Sequence, residues 1–172
     1  MLMVQNGTSR FAVLGTRSMV EGDLTMTKST KNGRPKILIL ATLSGGYRGA
    51  DSVGQEHSEY PPNTYILPVM SAAMFPESFY MRAFEHGFDG IIVMFSGTDC
   101  PYKGVPELTA KIINKTYELM KERKLELNRL RLAAICTVCV RPFIEEINKM
   151  NQLLDEIGKV PRPLPLAEAQ PV

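Results

Sequence analysis

Four short apolar runs punctuate the chain from Lys36 onward: KILILATL (36–43), TYILPVM (64–70), GIIVMFS (90–96) and LRLAAICTV (130–138). Each is continuous in Ile, Leu and Val rather than alternating with polar residues, the pattern of strands covered on both faces. Between and after them lie FPESFYMRAFEHG, VPELTAKIINKTYELMKERKL and RPFIEEINKMNQLLDEIGK. The last of these places Phe143, Ile147, Met150, Leu154 and Ile157 at steps of three and four, one apolar face of a helix. Pro76 and Pro106 fall where helices would begin, each followed by a Glu that suits the positive end of the helix dipole. Gly87 and Gly158 fall where helices would stop. Strands alternating with helices over short connections imply βαβ units, right-handed crossovers and a parallel sheet.

Residues 36–159 are therefore predicted to form one small α/β domain, a parallel sheet of about four strands with helices on both faces, flavodoxin- or Rossmann-like. Residues 1–35 differ: RFAVLG has the look of a short strand, but SMVEGDLTMTKSTKNGRP is polar and turn-rich, an added arm or a hairpin packing on a partner. The segment 160–172, VPRPLPLAEAQPV, is proline-rich and expected to be extended, lying on another surface or disordered. A net charge of +2 without a basic run argues against nucleic acid as a partner. No apolar segment approaches the ~20 residues that span a bilayer, and MLMVQNGTSRFAVLG lacks a signal-peptide layout. Three cysteines without a secreted disulfide pattern point to a reducing cytoplasm.

In a parallel α/β sheet, ligands bind beyond the carboxyl ends of the strands. Four segments converge there: Thr42–Asp51, Ser71–Phe75, Ser96–Gly104 and Cys136–Arg141. All three cysteines, Cys100, Cys136 and Cys139, belong to two of these segments. A C-x-x-C pair lets two thiolates ligate one metal or form a disulfide; Cys100 alone is equally a small buried hydrophobe. The stretch ATLSGGYRGADSVGQEHSEYPPN (41–63) reads as a glycine-rich polar loop, yet it matches neither G-x-G-x-x-G nor G-x-x-x-x-G-K-[ST]. A tight turn packing on its neighbours accounts for it better than a phosphate cradle. No nucleophile–base pair is apparent: His86 lies at a predicted helix end and His57 in a polar stretch. Asp99, beside Cys100, orients a ligand or caps the next turn.

These residues resemble a specific family. YRGADSVGQEHSEYPPNTYILPVM, then PESFYMRAFEHGFDGIIVM, then GTDCPYKG are similar to the delta subunit of methyl-viologen-reducing hydrogenase, over about residues 36–159. The landmarks are Tyr47, Gly49, Ala50 and Asp51; Tyr60 to Asn63; Val69 and Met70; Gly87, Asp89 and Gly90; and Gly97, Asp99, Cys100 and Tyr102. The resemblance implies a small iron–sulfur protein of anaerobic metabolism, carrying a 2Fe–2S cluster. Such proteins pass electrons between a dehydrogenase or hydrogenase module and the bifurcating flavin of a heterodisulfide reductase A-like flavoprotein. It also implies cluster ligands where this chain has Thr42, Gly45, Ser71 and Cys100, of which only the last is a cysteine. A cluster of this kind takes four protein ligands, usually thiolates. Loss of the cluster is the favoured reading. Its alternatives are a 2Fe–2S cluster or zinc re-ligated on Cys100, Cys136 and Cys139, with a fourth ligand from Ser71, Asp99 or a partner. If the cluster is lost, Met74 or Phe95 is expected to fill its pocket.

The functional expectation is an accessory, non-catalytic component of a heterodisulfide-reductase-like electron-transfer complex, docking the A-like flavoprotein to an electron-donating module. The alternatives are a free-standing flavodoxin-like carrier, with Tyr47 or Tyr102 against the flavin ring, and a thiol or metal redox carrier working through Cys136 and Cys139.

Overall fold

A computed structural model of the chain describes residues 33–97, 100–135 and 140–164. The four apolar runs are four parallel strands: β1 (Ile37–Thr42), β2 (Thr64–Val69), β3 (Gly90–Phe95) and β4 (Leu130–Ala134). Their order across the sheet is β2-β1-β3-β4. Helices α1 (Gly46–Gln55), α2 (Glu77–Glu85), α3 (Val105–Glu122) and α4 (Val140–Ile157) join or follow them, with short 3-10 turns at Ala72–Met74 and Leu127–Arg129.

Alternation along each strand sorts the core into two layers. Leu38, Leu40, Ile91 and Val93 pack with Tyr80, Met81 and Phe84 of α2 and with Ile113 and Met120 of α3. Ile37, Ile39, Ile92 and Met94 point the other way, against Val53 of α1 and Phe143, Ile147, Met150 and Leu154 of α4. Each of those four α4 side chains is fully buried, worth about 1.5–3 kcal/mol apiece in transfer energy. The helix starts and stops fall where the sequence places them. Pro76 precedes the first residue of α2 and Pro106 lies in the first turn of α3. Gly87 and Gly158 follow α2 and α4 at φ of 113° and 74°, the left-handed region that costs glycine nothing.

Two expectations need correction. The stretch after β1 is not a loop: α1 begins at Gly46, four residues beyond the strand, and carries GYRGADSVGQ. Its glycines disguised it, since they lower helix propensity, but they also let it lie against β3. A Cβ on Gly46 would stand 2.5 Å from Met94 Cβ, and one on Gly45 would stand 2.6 Å from the Ser96 nitrogen. Nor are all strands covered on both faces. β1 and β3 are buried almost throughout, whereas β2 is an edge strand with Tyr65 and Leu67 exposed. Pro68 sits there without penalty because an edge strand need not donate on its open side.

The amino ends of the strands are tied together by the residue immediately before each: Lys36, Asn63, Asp89 and Arg129. The Lys36 amide donates to Asp89 Oδ2 at 2.9 Å, and the Lys36 carbonyl accepts from the Asp89 amide at 2.8 Å. Asn63 Nδ2 donates to the Pro35 carbonyl and, at 3.0 Å, to Asn151 Oδ1 of α4. Arg129, 1% exposed, donates through Nη1 to the carbonyls of Asp89 (3.2 Å) and Gly158 (2.8 Å). Its Nε reaches Glu126 at 2.7 Å, a hydrogen bond that holds the Glu126 carboxyl below its usual value. Asp89 Oδ1 also accepts from the Val160 amide at 3.0 Å and from Arg162 Nη2 at 2.8 Å. Residues 160–164 therefore pack on the domain, with Val160 and Leu164 buried in the first layer.

Candidate functional site

At the carboxyl edge, the ends of β1, β2 and β3 converge on a small cavity of about 10 Å³. Thr42, Ser44, Ser71, Phe95, Cys100 and Tyr102 line it, so five of these six come from three of the four predicted segments. Thr42 closes β1 and is 3% exposed. Its hydroxyl is buried and has no hydrogen-bond partner among the described residues. Ser71 is engaged otherwise: its Oγ accepts from the Ala73 amide at 3.2 Å and caps the 3-10 turn after β2. Ser44 and Ser96 face each other at 3.4 Å across the ends of β1 and β3. Cys100 is half-buried, its amide donating to the Gly97 carbonyl at 3.3 Å.

The fold brings Thr42, Ser71, Cys100 and Tyr102 together and leaves other candidates aside. Gly45 lies against the backbone of Phe95 and Ser96 with no space for a side chain. Asp51 sits on the exposed side of α1 and accepts from Gln55 Nε2 at 2.8 Å. Tyr47 is partly exposed in the first turn of α1. Asp99, Cys136 and Cys139 lie outside the described residues. Of the two side chains expected to fill the cavity, Phe95 does line it. Met74 does not: it stands 54% exposed in the 3-10 turn, because Ser71 caps that turn and directs it outward.

The cavity does not fit a 2Fe–2S cluster. About 10 Å³ holds at most one water molecule, and two irons with two sulfides need several times that. Among the described residues its lining offers a single thiol, Cys100, together with neutral hydroxyls, which are hard donors ill matched to iron–sulfur chemistry. Among the described residues, no group of three or more His, Cys, Asp or Glu side chains could hold a metal ion. A flavin ring is excluded from this cavity by the same volume. Two larger hollows, of about 540 and 530 Å³, lie instead along the open edges beside β4 and β2.

Sequence reasoning missed what Tyr60–Asn63 and Asp89 do. Tyr60 meets Phe143 of α4 edge-on at 6.5 Å, and Asn63 ties β1 to α4. Both motifs are scaffold rather than site. The available signal was their place just before predicted strands, away from the edge where ligands bind. No described helix is long and apolar enough to cross a membrane.

Residues 37–158 match the family described as methyl-viologen-reducing hydrogenase, delta subunit. Among curated relatives, the chain is 29% identical over 102 residues to the D-type iron-sulfur subunit of the vhc F420-non-reducing hydrogenase of Methanococcus voltae, covering 58% of this chain and 70% of that one. It is 22% identical over 131 residues to the D-type iron-sulfur subunit of the vhu F420-non-reducing hydrogenase of Methanocaldococcus jannaschii, covering 76% of this chain and 96% of that one. It is also 30% identical over 131 residues to the A-type subunit of a CoB-CoM heterodisulfide reductase of Methanosarcina acetivorans, covering 76% of this chain but only 16% of that much longer one. The same domain thus occurs both as nearly the whole of a small iron-sulfur protein and as a segment within the large reductase polypeptide. With four parallel strands, the Tyr60–Asn63 and Asp89 staples and this match over most of its length, the chain belongs to the methyl-viologen-reducing hydrogenase delta subunit family.

Proposed function

We propose that the chain is an accessory component of an electron-transfer complex of the heterodisulfide-reductase type, docking an A-like flavoprotein to an electron-donating hydrogenase or dehydrogenase module. The observation that carries this is the double occurrence of the domain. In relatives named as hydrogenase iron-sulfur subunits it makes up most of the chain, and in the A-type heterodisulfide reductase polypeptide it is covalently joined to the rest. A domain that is fused to a protein in one relative and separate in another is a natural neighbour of that protein.

The carboxyl edge supports a docking role in place of a redox one. Around the closed cavity, Leu43, Met70, Met74, Tyr102 and Leu108 are all exposed. Apolar side chains gathered at one edge mark a protein contact surface, and methionine adapts to a partner's relief. In this reading the cluster pocket is shut, and electrons pass between the flanking proteins without a cluster there. Residues 1–35 are proposed as an extension that wraps the partner. The second reading, a centre re-ligated on Cys100, Cys136 and Cys139, is kept because Cys100 lines the cavity.

Co-expression with an A-like flavoprotein tests the proposal. A stable complex is expected, weakened at least tenfold by Met70→Asp with Leu108→Asp; failure to associate refutes it. Metal analysis of the chain purified without oxygen should find neither iron nor zinc. About two irons per chain with visible absorption, or one zinc, would establish a re-ligated centre instead.

A further inference from the structure

The two open edges of the sheet differ in what they offer a further strand. In a parallel pair, alternate residues turn both backbone groups towards the same neighbour. The Asn63 and Val69 carbonyls accept from the Ile37 and Leu43 amides, so Thr64, Ile66 and Pro68 turn theirs outward. Pro68 has no N–H to give, which blunts the β2 edge. At the other side of the sheet, the Ile135 amide donates to the Phe95 carbonyl at 2.8 Å. Arg131 and Ala133 of β4 therefore bond to β3, and Leu130, Leu132 and Ala134 turn outward. Leu130 is already engaged: its amide bonds to the Leu127 carbonyl, and its carbonyl accepts from Tyr117 Oη at 3.0 Å. The outward groups of Leu132 and Ala134 have no partner among the described residues, and no proline interrupts β4.

A hollow of about 540 Å³ runs along this edge between α3 and α4, in the place where another strand would continue the sheet. Its two sides differ in chemistry because side chains alternate along a strand. Towards α3, Leu132 is 38% exposed beside Tyr117 and Leu127. Towards α4, Arg131 and Lys149 share one carboxylate, Glu146, at 3.1 and 2.8 Å. Two cations on one anion leave a surplus of positive charge, and no acidic side chain of the described residues lines the hollow. A second copy paired through β4 would bring Arg131 and Lys149 against their own kind, and like charges across a strand pair repel. An added strand that alternates apolar and acidic side chains satisfies both sides at once.

We propose that the outer edge of β4 receives an extended segment of a partner protein, alternating apolar and acidic residues, as a fifth strand bonded to the Leu132 and Ala134 backbone. Its apolar side chains lie against Leu132 and Tyr117, and its carboxylates face Arg131 and Lys149. This surface uses none of the residues of the carboxyl-edge contact proposed above and stands without it.

A short capped peptide of alternating valine and glutamate, titrated into the isotope-labelled full-length chain, tests this by nuclear magnetic resonance. At saturation, solvent exchange of the Leu132 and Ala134 amides should slow by about tenfold or more. Lys149→Glu, at a side chain 53% exposed, should weaken the peptide by about threefold, and Arg131→Glu added to it by roughly tenfold. A peptide of alternating valine and lysine should bind the doubly substituted chain better than the parent, which shows that the variant is folded. Unslowed exchange at saturation, or equal binding of the two peptides to the parent chain, would overturn the proposal. Slow exchange at Leu132 in the chain alone would do the same, since the chain would then cover its own edge. So would a dimer in sedimentation whose dissociation on dilution frees these amides, which would make the edge an interface between two copies.

Discussion

The two ends of this sheet are built on opposite principles. At the amino end, the residue before every strand is polar and bonded: Lys36 and Arg129 both bond to Asp89, Asn63 bonds to Pro35 and to α4, and Asp89 and Arg129 reach residues 158–162. At the carboxyl end, side chains are small or apolar, Thr42 has a buried hydroxyl without a partner among the described residues, and Ser44 and Ser96 meet only at 3.4 Å. The first end holds the strands in place. The second, where this fold class does its chemistry, is closed by the approach of α1 to β3. The Tyr60–Asn63 and Asp89 motifs of the family serve the first end, while Cys100 and Tyr102 line the cavity at the second.

The contrast can be broken most directly at Asp89, whose side chain is 1% exposed and accepts from Lys36, Val160 and Arg162. Asp89→Ala should cost about 3–5 kcal/mol in urea unfolding, because a part-buried cation and two amides lose their acceptor. A loss below about 1 kcal/mol, the worth of an ordinary hydrogen bond, would remove the claim that the amino end organises the sheet. Next in size is Gly46→Ala. Its Cβ would stand 2.5 Å from Met94 Cβ and 2.9 Å from the Met94 carbonyl oxygen, so α1 must move, at about 1–3 kcal/mol. An unchanged midpoint would mean that the carboxyl end is looser than its geometry.

Thr42→Val sharpens the comparison in the other direction. Replacing a buried, unpartnered hydroxyl with a methyl should stabilise the protein by about 1 kcal/mol. Destabilisation would reveal a water bound in the cavity. The smallest effect at neutral pH concerns Tyr80, whose phenol is fully buried, without a partner among the described residues, and pushed up to about 12 by desolvation. A pKa raised in the folded state means stability is complete below the unfolded value near 10 and is lost as pH climbs towards 12. Tyr80→Phe should be nearly neutral at pH 7, because the void left by the oxygen offsets the relief of an unpartnered hydroxyl, and should flatten thermal stability between about pH 10 and 12 relative to the parent chain.

Much of this was legible in the sequence. Continuous Ile, Leu and Val runs mark strands of a covered sheet, and three- and four-residue spacing marks a helix, so the α/β layering followed from local pattern, though not the exposure of the edge strand β2. Helix α1 did not follow, because GYRGADSVGQ is poor in helix formers and its glycines answer to a neighbour 48 residues away, Met94. A parallel step from β1 to β2 nevertheless required a crossover, and that was the usable signal. The site was half legible. Thr42, Ser71, Cys100 and Tyr102 were named and do converge, while Asp51 and Met74 turn to solvent because their own helix and capped turn aim them there.

The sequence by itself determined the layers, the starts of α2 and α3, the stops of α2 and α4, and the family, because hydrophobic period, proline and glycine act within a few residues of chain. Only the tertiary structure decided which strands lie at the edges, that the cavity at the carboxyl edge is small, and that residues preceding the four strands form a polar belt at the amino end. Those outcomes depend on strand order and on backbone approach across the sheet, which no local preference encodes.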